Sequence, residues 1–363
     1  MELVSPSDPT RTKVETYFSV VLQTFERATQ AAGFVQETVL SIAGFRIRLR
    51  FAGRELARSL TSAVRHLSLP HAEEDDADFT VCIFDSASTG VHPPHPLWSE
   101  EDYGDRGVVR GFNDNRYKTV FQGGSNTLSL LDMQNSLGLF WVPDIAKLPF
   151  WEFSAPLRVL LHLWMREQGL QVIHAAAVGL QQRAVLLVGK GGAGKSTTAL
   201  SCLGSKLQYL GDDYCLVGGG SQPIVYSLYS SAKIRLDDLN RLQFSGLIPS
   251  DEVQPNQEKV VFNIHELSPE KIAISRVLQA ILIPRITHLN DSRLVPASSK
   301  DAHIALAPST IFQLPDAGGV DLTRMANLVR SVDCFFLDLG TDMSQPQQCI
   351  TRLLQGHAVM TET

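Results

Sequence analysis

The sequence predicts an α/β domain with a mixed sheet flanked by helices, preceded by a smaller α+β domain. The first observation is an apolar run at 183–188 that enters a glycine-rich loop and continues into a helical stretch. The second is a set of alternating apolar and polar segments before residue 150, which is typical of short strands and hairpins. A helical stretch at 156–166 lies between them. We therefore expect two domains, 1–150 and 151–363.

The first predicted domain begins with a helix and then becomes mostly β. Alternation and helical periodicity give its elements in chain order as a helix at 14–32, a strand or hairpin at 37–51, a helix at 54–67, a strand at 79–84 and several strands within 117–142. The stretch 86–115 is rich in Gly, Pro, Asp and His and is predicted to be a loop. His66, His92 and His95 lack the spacing of metal ligands, so we interpret them as solvated.

The second predicted domain alternates short apolar runs with helices. Its elements are predicted as strands at 171–178 and 183–188, a helix at 195–203, a short strand from 207 that ends in two acids, strands at 280–284 and 332–339, and a helix at 346–354. The last strand and helix are expected to complete the sheet.

Length and composition exclude several classes of protein. A chain of 363 residues with 44% hydrophobic residues is long enough to bury the cores of two domains. The formal net charge of −6 gives no electrostatic reason to expect a nucleic-acid partner. Five cysteines without CxxC spacing indicate reduced thiols. The N-terminus lacks a secretory apolar core and no run of eighteen apolar residues occurs, so we expect a cytoplasmic protein without a membrane span or membrane partner.

The glycine-rich loop fits the pattern G-x-x-x-x-G-K-[ST], which defines a P-loop. Small residues in this pattern let backbone N–H groups close around phosphate oxygens. The residues predicted to bind ATP are Gly189, Lys190, Gly191, Gly192, Ala193, Gly194, Lys195, Ser196 and Thr197. Lys195 is expected to reach the β and γ phosphates and the Ser196 hydroxyl to ligate Mg²⁺, with Thr197 near the α phosphate.

Two adjacent acids, Asp212 and Asp213, end the short strand that follows the loop. The carboxyl end of a strand parallel to the one before the loop would face the phosphates. One acid can then hold Mg²⁺ while the other accepts the proton of an acceptor hydroxyl. Without the loop, the same Gly-Asp-Asp sequence would be interpreted as a turn.

His174, the glycine-rich loop and the Asp212-Asp213 pair together resemble the HPr kinase/phosphorylase family, in order and in spacing. The resemblance is specific over residues 170–217. It implies the fold of that family's C-terminal domain, with ATP and Mg²⁺ as cofactors and homo-oligomers common. It also implies that Asp212 is the general base, Asp213 a metal-side carboxylate and His174 a group near the transferred phosphate. Without the resemblance, His174 on an apolar strand would be interpreted as a satisfied core histidine.

The chain departs from this family after the acid pair. The family has a Glu-Ile-Arg-Gly segment whose Glu binds metal, whereas this chain has Ala-Lys-Ile-Arg at 232–235. Lys233 and Arg235 are predicted to hold phosphate or an acidic acceptor, or else to be solvated residues of a surface strand. Segments 226–233 and 307–314 resemble HPr-kinase-like proteins outside sugar regulation, including kinases of peptide-modification pathways.

Three further residues are assigned less specific roles. Arg285 follows the strand at 280–284 and is predicted either to stabilise charge on the transferring phosphoryl group or to form a structural salt bridge. Ser309 and Thr310 are expected to cap a helix.

The preferred function is a kinase that transfers the γ-phosphoryl group of ATP to a hydroxyl, on a Ser of a protein or peptide or on a small metabolite.

Lys190 suggests an alternative, because Lys-Gly-Gly-x-Gly-Lys-Ser is also the deviant loop of dimeric switch ATPases. Those proteins carry the loop near the start of the chain, with a longer gap to the first acid. A nucleotide-binding regulator without transfer activity is the third hypothesis, since the family's Glu is missing. The first domain is expected to recognise the acceptor or to form an oligomer.

Overall fold

The structure is a computed structural model that describes residues 9–70, 77–235, 259–287 and 289–356. The chain forms two compact units. The first comprises Met1–Ser62, Ser68–Trp164 and Leu314–Asp316, and the second comprises Ala63–Leu67, Met165–Gln313 and Ala317–Thr363. None of the helices within the described ranges is both long enough and apolar enough to cross a membrane.

The first unit is built on a mixed sheet whose strand order is β1-β2-β3-β6-β5-β4. Strands β2, β3 and β6 are parallel to one another, and the remaining pairs are antiparallel. Its helices and strands are α1 (Pro9–Ala32), β1 (Gln36–Ile42), β2 (Phe45–Ala52), α2 (Arg54–Thr61), β3 (Phe79–Asp85), α3 (Ser86–Thr89), β4 (Tyr117–Gln122), β5 (Thr127–Asp132), β6 (Leu137–Val142) and α4 (Phe150–Ser154).

Helix α1 covers one face of this sheet. Buried apolar residues recur every three or four positions along the helix, for example Val14, Val21 and Phe25, so they form one stripe. The stripe packs on sheet residues that include Phe84 and Leu130. The predicted helix at 14–32, the hairpin at 37–51 and the strands within 117–142 are confirmed. The predicted helix at 54–67 is α2 followed by a 3₁₀ helix, Ser62–Leu67.

The chain passes into the second unit within α5 (Arg158–Glu167). The strands of the second unit are β7 (Leu170–Ile173), β8 (Ala176–Leu180), β9 (Arg183–Leu187), β10 (Gln208–Gly211), β11 (Cys215–Gly218), β12 (Ile224–Tyr226), β13 (Ser231–Arg235), β14 (Lys259–Asn263), β15 (Ser275–Ile286), β16 (Arg293–Pro296) and β17 (Asp333–Leu339). Its helices are α6 (Lys195–Ser201), α7 (Ile264–Leu267), α8 (Ser299–Ile311), α9 (Gly319–Arg330) and α10 (Gln345–Leu354).

The main sheet of this unit has parallel strands at its centre and antiparallel strands around them. The long strand β15 is parallel to β9 on one side and to β17 on the other, while its first residues pair with β12 in the antiparallel sense. Helices α6 and α10 pack on one face of the sheet, and α8 and α9 pack on the other. The predicted mixed sheet flanked by helices is therefore confirmed.

The side chains of β9 show why two layers of helices are needed. Val185 and Leu187 lie in the core with α6 and α10, whereas Ala184 and Leu186 lie in the core with α8 and α9. A strand that is apolar at consecutive positions buries both faces, so it reads as a continuous apolar run rather than an alternating one.

One prediction about strands needs correction, and for one further strand the neighbour was not predicted. The run at 171–178 is not one strand but two, β7 and β8, which are separated at His174 and Ala175. The strand before the acids, β10, does not lie beside β9, because it pairs antiparallel with β8. Since β9 is also antiparallel to β8, β9 and β10 run in the same direction. The acids therefore still reach the edge of the sheet where the glycine-rich loop begins.

One of the three histidines interpreted as solvated is half-buried. His66 lies in the 3₁₀ helix with its Nε2 atom 2.8 Å from Ser227 Oγ, and the His265 ring is 6.2 Å away. Burial, reinforced by the charge that His265 can carry, lowers the pKa of His66 to about 3. His92 and His95 are exposed, as predicted.

This histidine predicts a loss of stability on acidification. Its folded pKa lies below the ordinary value of 6.5, so the unfolded chain takes up the proton first and stability falls as the pH drops from 6.5 towards 3. Between about pH 7 and pH 5.5 we expect His66 to account for a loss on the order of 1 kcal/mol. Urea unfolding of the protein and of His66→Gln at both pH values measures it. The same pH dependence in both proteins would contradict the prediction.

Candidate active site

The glycine-rich loop joins β9 to α6 and depends on its glycines for two different reasons. Gly194 has a φ of 99°, which strains any other residue, and a Cβ atom there would lie 2.6 Å from Leu339 Cδ1, so the Leu339 side chain would have to move. A Cβ atom at Gly191 or Gly192 would meet nothing within 4 Å. The loop is therefore pressed against the end of β17 at one position, while its tip is open to a cleft.

Lys195 places a positive charge inside this loop. Its Nζ atom donates hydrogen bonds to the carbonyl oxygens of Gly189, at 2.7 Å, and Lys190, at 3.3 Å. The Lys195 side chain is buried, whereas Lys190 is exposed. An ammonium group held against backbone carbonyls remains a compact, mobile charge that an anion in the cleft can attract.

The two acids at the end of β10 have different surroundings. Asp212 is only 2% exposed; its Oδ1 atom accepts a hydrogen bond from Ser196 Oγ at 2.9 Å, and its Oδ2 atom accepts one from the Lys233 backbone N–H at 3.4 Å. Asp213 has a φ of 67°, a left-handed conformation that is uncommon for a residue with a side chain. The tight turn is closed by the Tyr214 N–H, which donates to the Asp212 carbonyl at 2.8 Å. It turns Asp213 into the cleft and leaves Asp212 behind Ser196.

Asp213 is surrounded by basic groups. The Lys233 ammonium forms an ion pair with Asp213 Oδ2, and His174 Nε2 lies 3.7 Å from Asp213 Oδ1. The buried Nδ1 atom of His174 has no hydrogen-bond partner among the described residues. The His174 backbone N–H donates to Thr310 Oγ1 at 3.0 Å, which fixes the break between β7 and β8.

These surroundings shift the pKa values of the acids in opposite directions. Burial, followed by the neighbouring charge of Asp213, raises the pKa of Asp212. Burial also acts to raise the pKa of Asp213, but His174 and Lys233 outweigh it and hold that pKa well below its usual range. Burial lowers the pKa of His174, and the charges of Lys195 and Lys233 act in the same direction. A pair of acids with pKa values driven apart is typical of a functional site.

Three residues near His174 and Asp213 were not predicted as site residues, namely Thr310, Tyr214 and Gln313. Thr310 supports His174, and Tyr214 Oη donates to Gln313 Oε1 at 2.6 Å beside the cleft. The sequence favoured a capping role for Ser309 and Thr310, but both lie in the last turn of α8, whose N-cap is Ser298. In the sequence, segment 307–314 was noted for its resemblance to HPr-kinase-like proteins. That resemblance did not indicate that Thr310 contacts His174.

A cleft of about 740 Å³ brings most of the predicted site residues together, a volume in the range of small-molecule sites. Predicted site residues in its lining are His174, Gly191, Gly192, Gly194, Lys195, Ser196, Thr197, Asp213, Lys233 and Arg235. Asp212 lies behind this surface, in contact with Ser196. Ile286, Leu339, Met343 and Pro346 line the cleft with apolar atoms.

Arg285 is not brought to this group of residues. Its guanidinium forms an ion pair with Asp338 at 2.6 Å and lies over the Phe336 ring, 3.9 Å from the centroid. Successive side chains of a strand point to opposite faces, and Ile286 is the one that lines the cleft. Of the two roles predicted for Arg285, this geometry matches the structural salt bridge.

Comparison with known proteins finds distant likenesses among solved structures. No family model and no curated protein matches the chain. Among solved structures, the HPr(Ser) kinase/phosphatase from Coxiella burnetii is similar over 52% of this chain and 90% of its own, with 12% sequence identity and a TM-score of 0.29. At that TM-score we base the function on the geometry of the site alone.

Proposed function

We propose that this chain is a Mg²⁺-dependent kinase that transfers the γ-phosphoryl group of ATP to a hydroxyl. The observation that carries the proposal is the 2.9 Å contact between Ser196 Oγ and Asp212 Oδ1, beside the Lys195 ammonium. In phosphate-binding loops of this pattern, the hydroxyl after the Lys and a carboxylate from a neighbouring strand hold Mg²⁺ together. That pairing distinguishes the loop from a glycine-rich turn without a ligand.

The loop residues Gly189 to Thr197 would bind the triphosphate. The open main chain at Gly191 and Gly192 leaves room for phosphate oxygens, and the Lys195 ammonium would meet the β and γ phosphates. The cation would neutralise charge that develops on the transferring group, which is the main contribution a protein makes to this reaction.

The oxygen donors of Ser196 and Asp212 fit Mg²⁺, a cation that binds hydroxyl and carboxylate oxygens. When held by these two side chains, Mg²⁺ would offset the negative charge of the phosphates. The sequence predicted Ser196 with Asp213 as the metal-side group. We propose Asp212 instead, because it contacts Ser196 directly whereas Asp213 is paired with Lys233.

Asp213 is then proposed to orient the acceptor hydroxyl. It lines the cleft, and its low pKa keeps it ionised, so it can accept a hydrogen bond from the incoming group. Phosphoryl transfer passes through a loose transition state that needs a well-placed nucleophile more than a strong base. His174 and Lys233 would hold the carboxylate in place, while the Lys233 ammonium also adds positive charge near the transferred phosphate.

The acceptor is proposed to be a hydroxyl of a peptide, protein or small molecule. Arg235 lines the same cleft at the end of β13, where it could attract an acceptor that carries negative charge near its hydroxyl. The first unit is a candidate for acceptor recognition or for a homo-oligomer interface.

The test is transfer of label from γ-labelled ATP with Mg²⁺ to free serine, Ser-containing peptides and candidate proteins. We expect label on a hydroxyl acceptor, and its loss when Mg²⁺ is chelated. ATP hydrolysis without any labelled acceptor would favour the switch ATPase that Lys190 suggests. Tight ATP binding with neither transfer nor hydrolysis would favour a nucleotide-binding regulator.

A further inference from the structure

We propose that four apolar side chains at one end of the cleft, Ile286, Leu339, Met343 and Pro346, bind the nucleobase of the nucleotide. These residues are called here the apolar shelf. Ile286 and Leu339 end the parallel strands β15 and β17, Met343 lies in the turn before α10, and Pro346 lies in the first turn of α10. The inference rests on the proposed function, because it assumes that the triphosphate occupies the glycine-rich loop.

The position of the shelf follows from the sheet. Strands β9, β15 and β17 are parallel neighbours, so their carboxyl ends meet at one edge, where ligands of open α/β sheets bind. The first of these ends carries the loop and the other two carry the shelf. Ile286 and Leu339 are paired in register across β15 and β17. Leu339 also packs against Gly194, where a Cβ atom would lie only 2.6 Å from it. The shelf is therefore continuous with the loop.

One end of the cleft is charged and the other is apolar, which would fix the orientation of a bound ligand. His174, Asp213, Lys233 and Arg235 form a charged end that suits the γ-phosphate and an acceptor. Ile286 is 57% exposed although it lines the cleft, so an apolar surface is available for contact. A nucleoside triphosphate has the same asymmetry, with charge at one end and a flat aromatic ring at the other. The ring would bury the shelf and gain hydrophobic stabilisation.

The backbone around the shelf is held rigidly. The Gly340 N–H donates to Ser292 Oγ at 2.9 Å, and the Thr341 N–H donates to the Leu289 carbonyl at 2.9 Å. In the following turn, the Asp342 carboxylate accepts hydrogen bonds from the Ser344 N–H and hydroxyl. Because the Gly340 and Thr341 donors are already used, the base would be held by apolar contact rather than by hydrogen bonds to them. Such a surface discriminates poorly between purines.

The experiment compares two Mg²⁺-bound probes by titration calorimetry: AMP-PNP, which carries the base, and inorganic tripolyphosphate, which does not. The protein is the full chain, and the test variant is the double substitution Ile286→Asn with Met343→Gln. The matched control, Ile286→Val with Met343→Leu, keeps the shelf apolar. A second control, Leu322→Asn, changes an exposed apolar residue on α9, outside the residues that line the cleft.

We expect AMP-PNP to bind the unmodified protein at least about tenfold more tightly than tripolyphosphate, and the polar double variant to lose that advantage. Its affinity for tripolyphosphate should stay within about twofold, and both controls should keep the preference for AMP-PNP. GMP-PNP should bind within about tenfold of AMP-PNP.

Three results would overturn the inference. Equal affinity of the unmodified protein for AMP-PNP and tripolyphosphate would mean that the base makes no contact, while the phosphate site itself would stand. An unchanged preference for AMP-PNP in the polar double variant would place the base elsewhere. If neither probe binds the unmodified protein, the proposed kinase function fails as well.

Discussion

Replacing Lys195 with methionine is expected to lower the rate of phosphoryl transfer by about 10²- to 10³-fold. The ammonium donates hydrogen bonds to the loop carbonyls of Gly189 and Lys190, and methionine keeps most of the length of the side chain without the charge. Part of the loss should appear as weaker nucleotide binding, because the same cation would contact the β and γ phosphates in the ground state. Initial rates over a range of ATP concentrations separate the two effects.

Two other lysines serve as comparisons for this variant. Lys300→Met changes an exposed residue of α8 that does not line the cleft and should leave the rate within about twofold. Lys190→Met changes an exposed residue at the loop tip and should cost less than Lys195→Met. If Lys190→Met were as damaging as Lys195→Met and the protein hydrolysed ATP only as a dimer, the switch-ATPase hypothesis would replace the kinase.

Replacing Asp213 with asparagine is expected to lower transfer by about 10²- to 10⁴-fold while the affinity for Mg²⁺–AMP-PNP changes little. Asp213 lines the cleft but does not contact Ser196, so the loss should fall on the positioning of the acceptor hydroxyl. Asp212→Asn should act differently. Because Asp212 accepts the hydrogen bond from Ser196, its loss should weaken Mg²⁺-dependent nucleotide binding together with transfer.

The measurement for this pair of variants is the affinity for AMP-PNP with and without Mg²⁺, beside the transfer rate. The reverse result would restore the roles implied by the family resemblance: Asp213→Asn would lose the effect of Mg²⁺ on binding, and Asp212→Asn would lose only transfer. Thermal unfolding of both variants checks that either loss comes from the site, since Asp212 is buried and Asp213 has a positive φ.

Local pattern was enough to locate most helices and strands. The apolar stripe of α1, the alternation along β4 to β6 and the run before the glycine-rich loop are all visible in short windows, because side-chain periodicity depends only on neighbours in the chain. The break at His174 was missed because the residues on both sides of it, 172–173 and 175–178, are apolar. At the break, the His174 N–H donates a hydrogen bond to Thr310 Oγ1, 136 positions away, a contact that no local pattern reveals.

Contacts between residues that lie far apart in the sequence, and the order of the strands in the sheet, could not be predicted from local patterns. Asp338 was not considered as a partner of Arg285, although the register of β15 and β17 places the two residues side by side. Similarly, β10 was correctly predicted to run parallel to β9. The sequence did not predict that β8 lies between them. Pairing order is set by the whole sheet, which a single apolar run does not encode.

The sequence by itself determined the glycine-rich loop, the acid pair and the basic residue Lys233, because each is a residue type, or a short string of them, with a defined chemistry. Only the tertiary structure decided that Asp212 contacts Ser196, that Lys233 pairs with Asp213 and that an apolar shelf adjoins the loop. The physical reason is that each of these contacts joins groups on different strands or turns. The distances between these groups depend on the order of the strands in the sheet and on how the helices and turns pack against it.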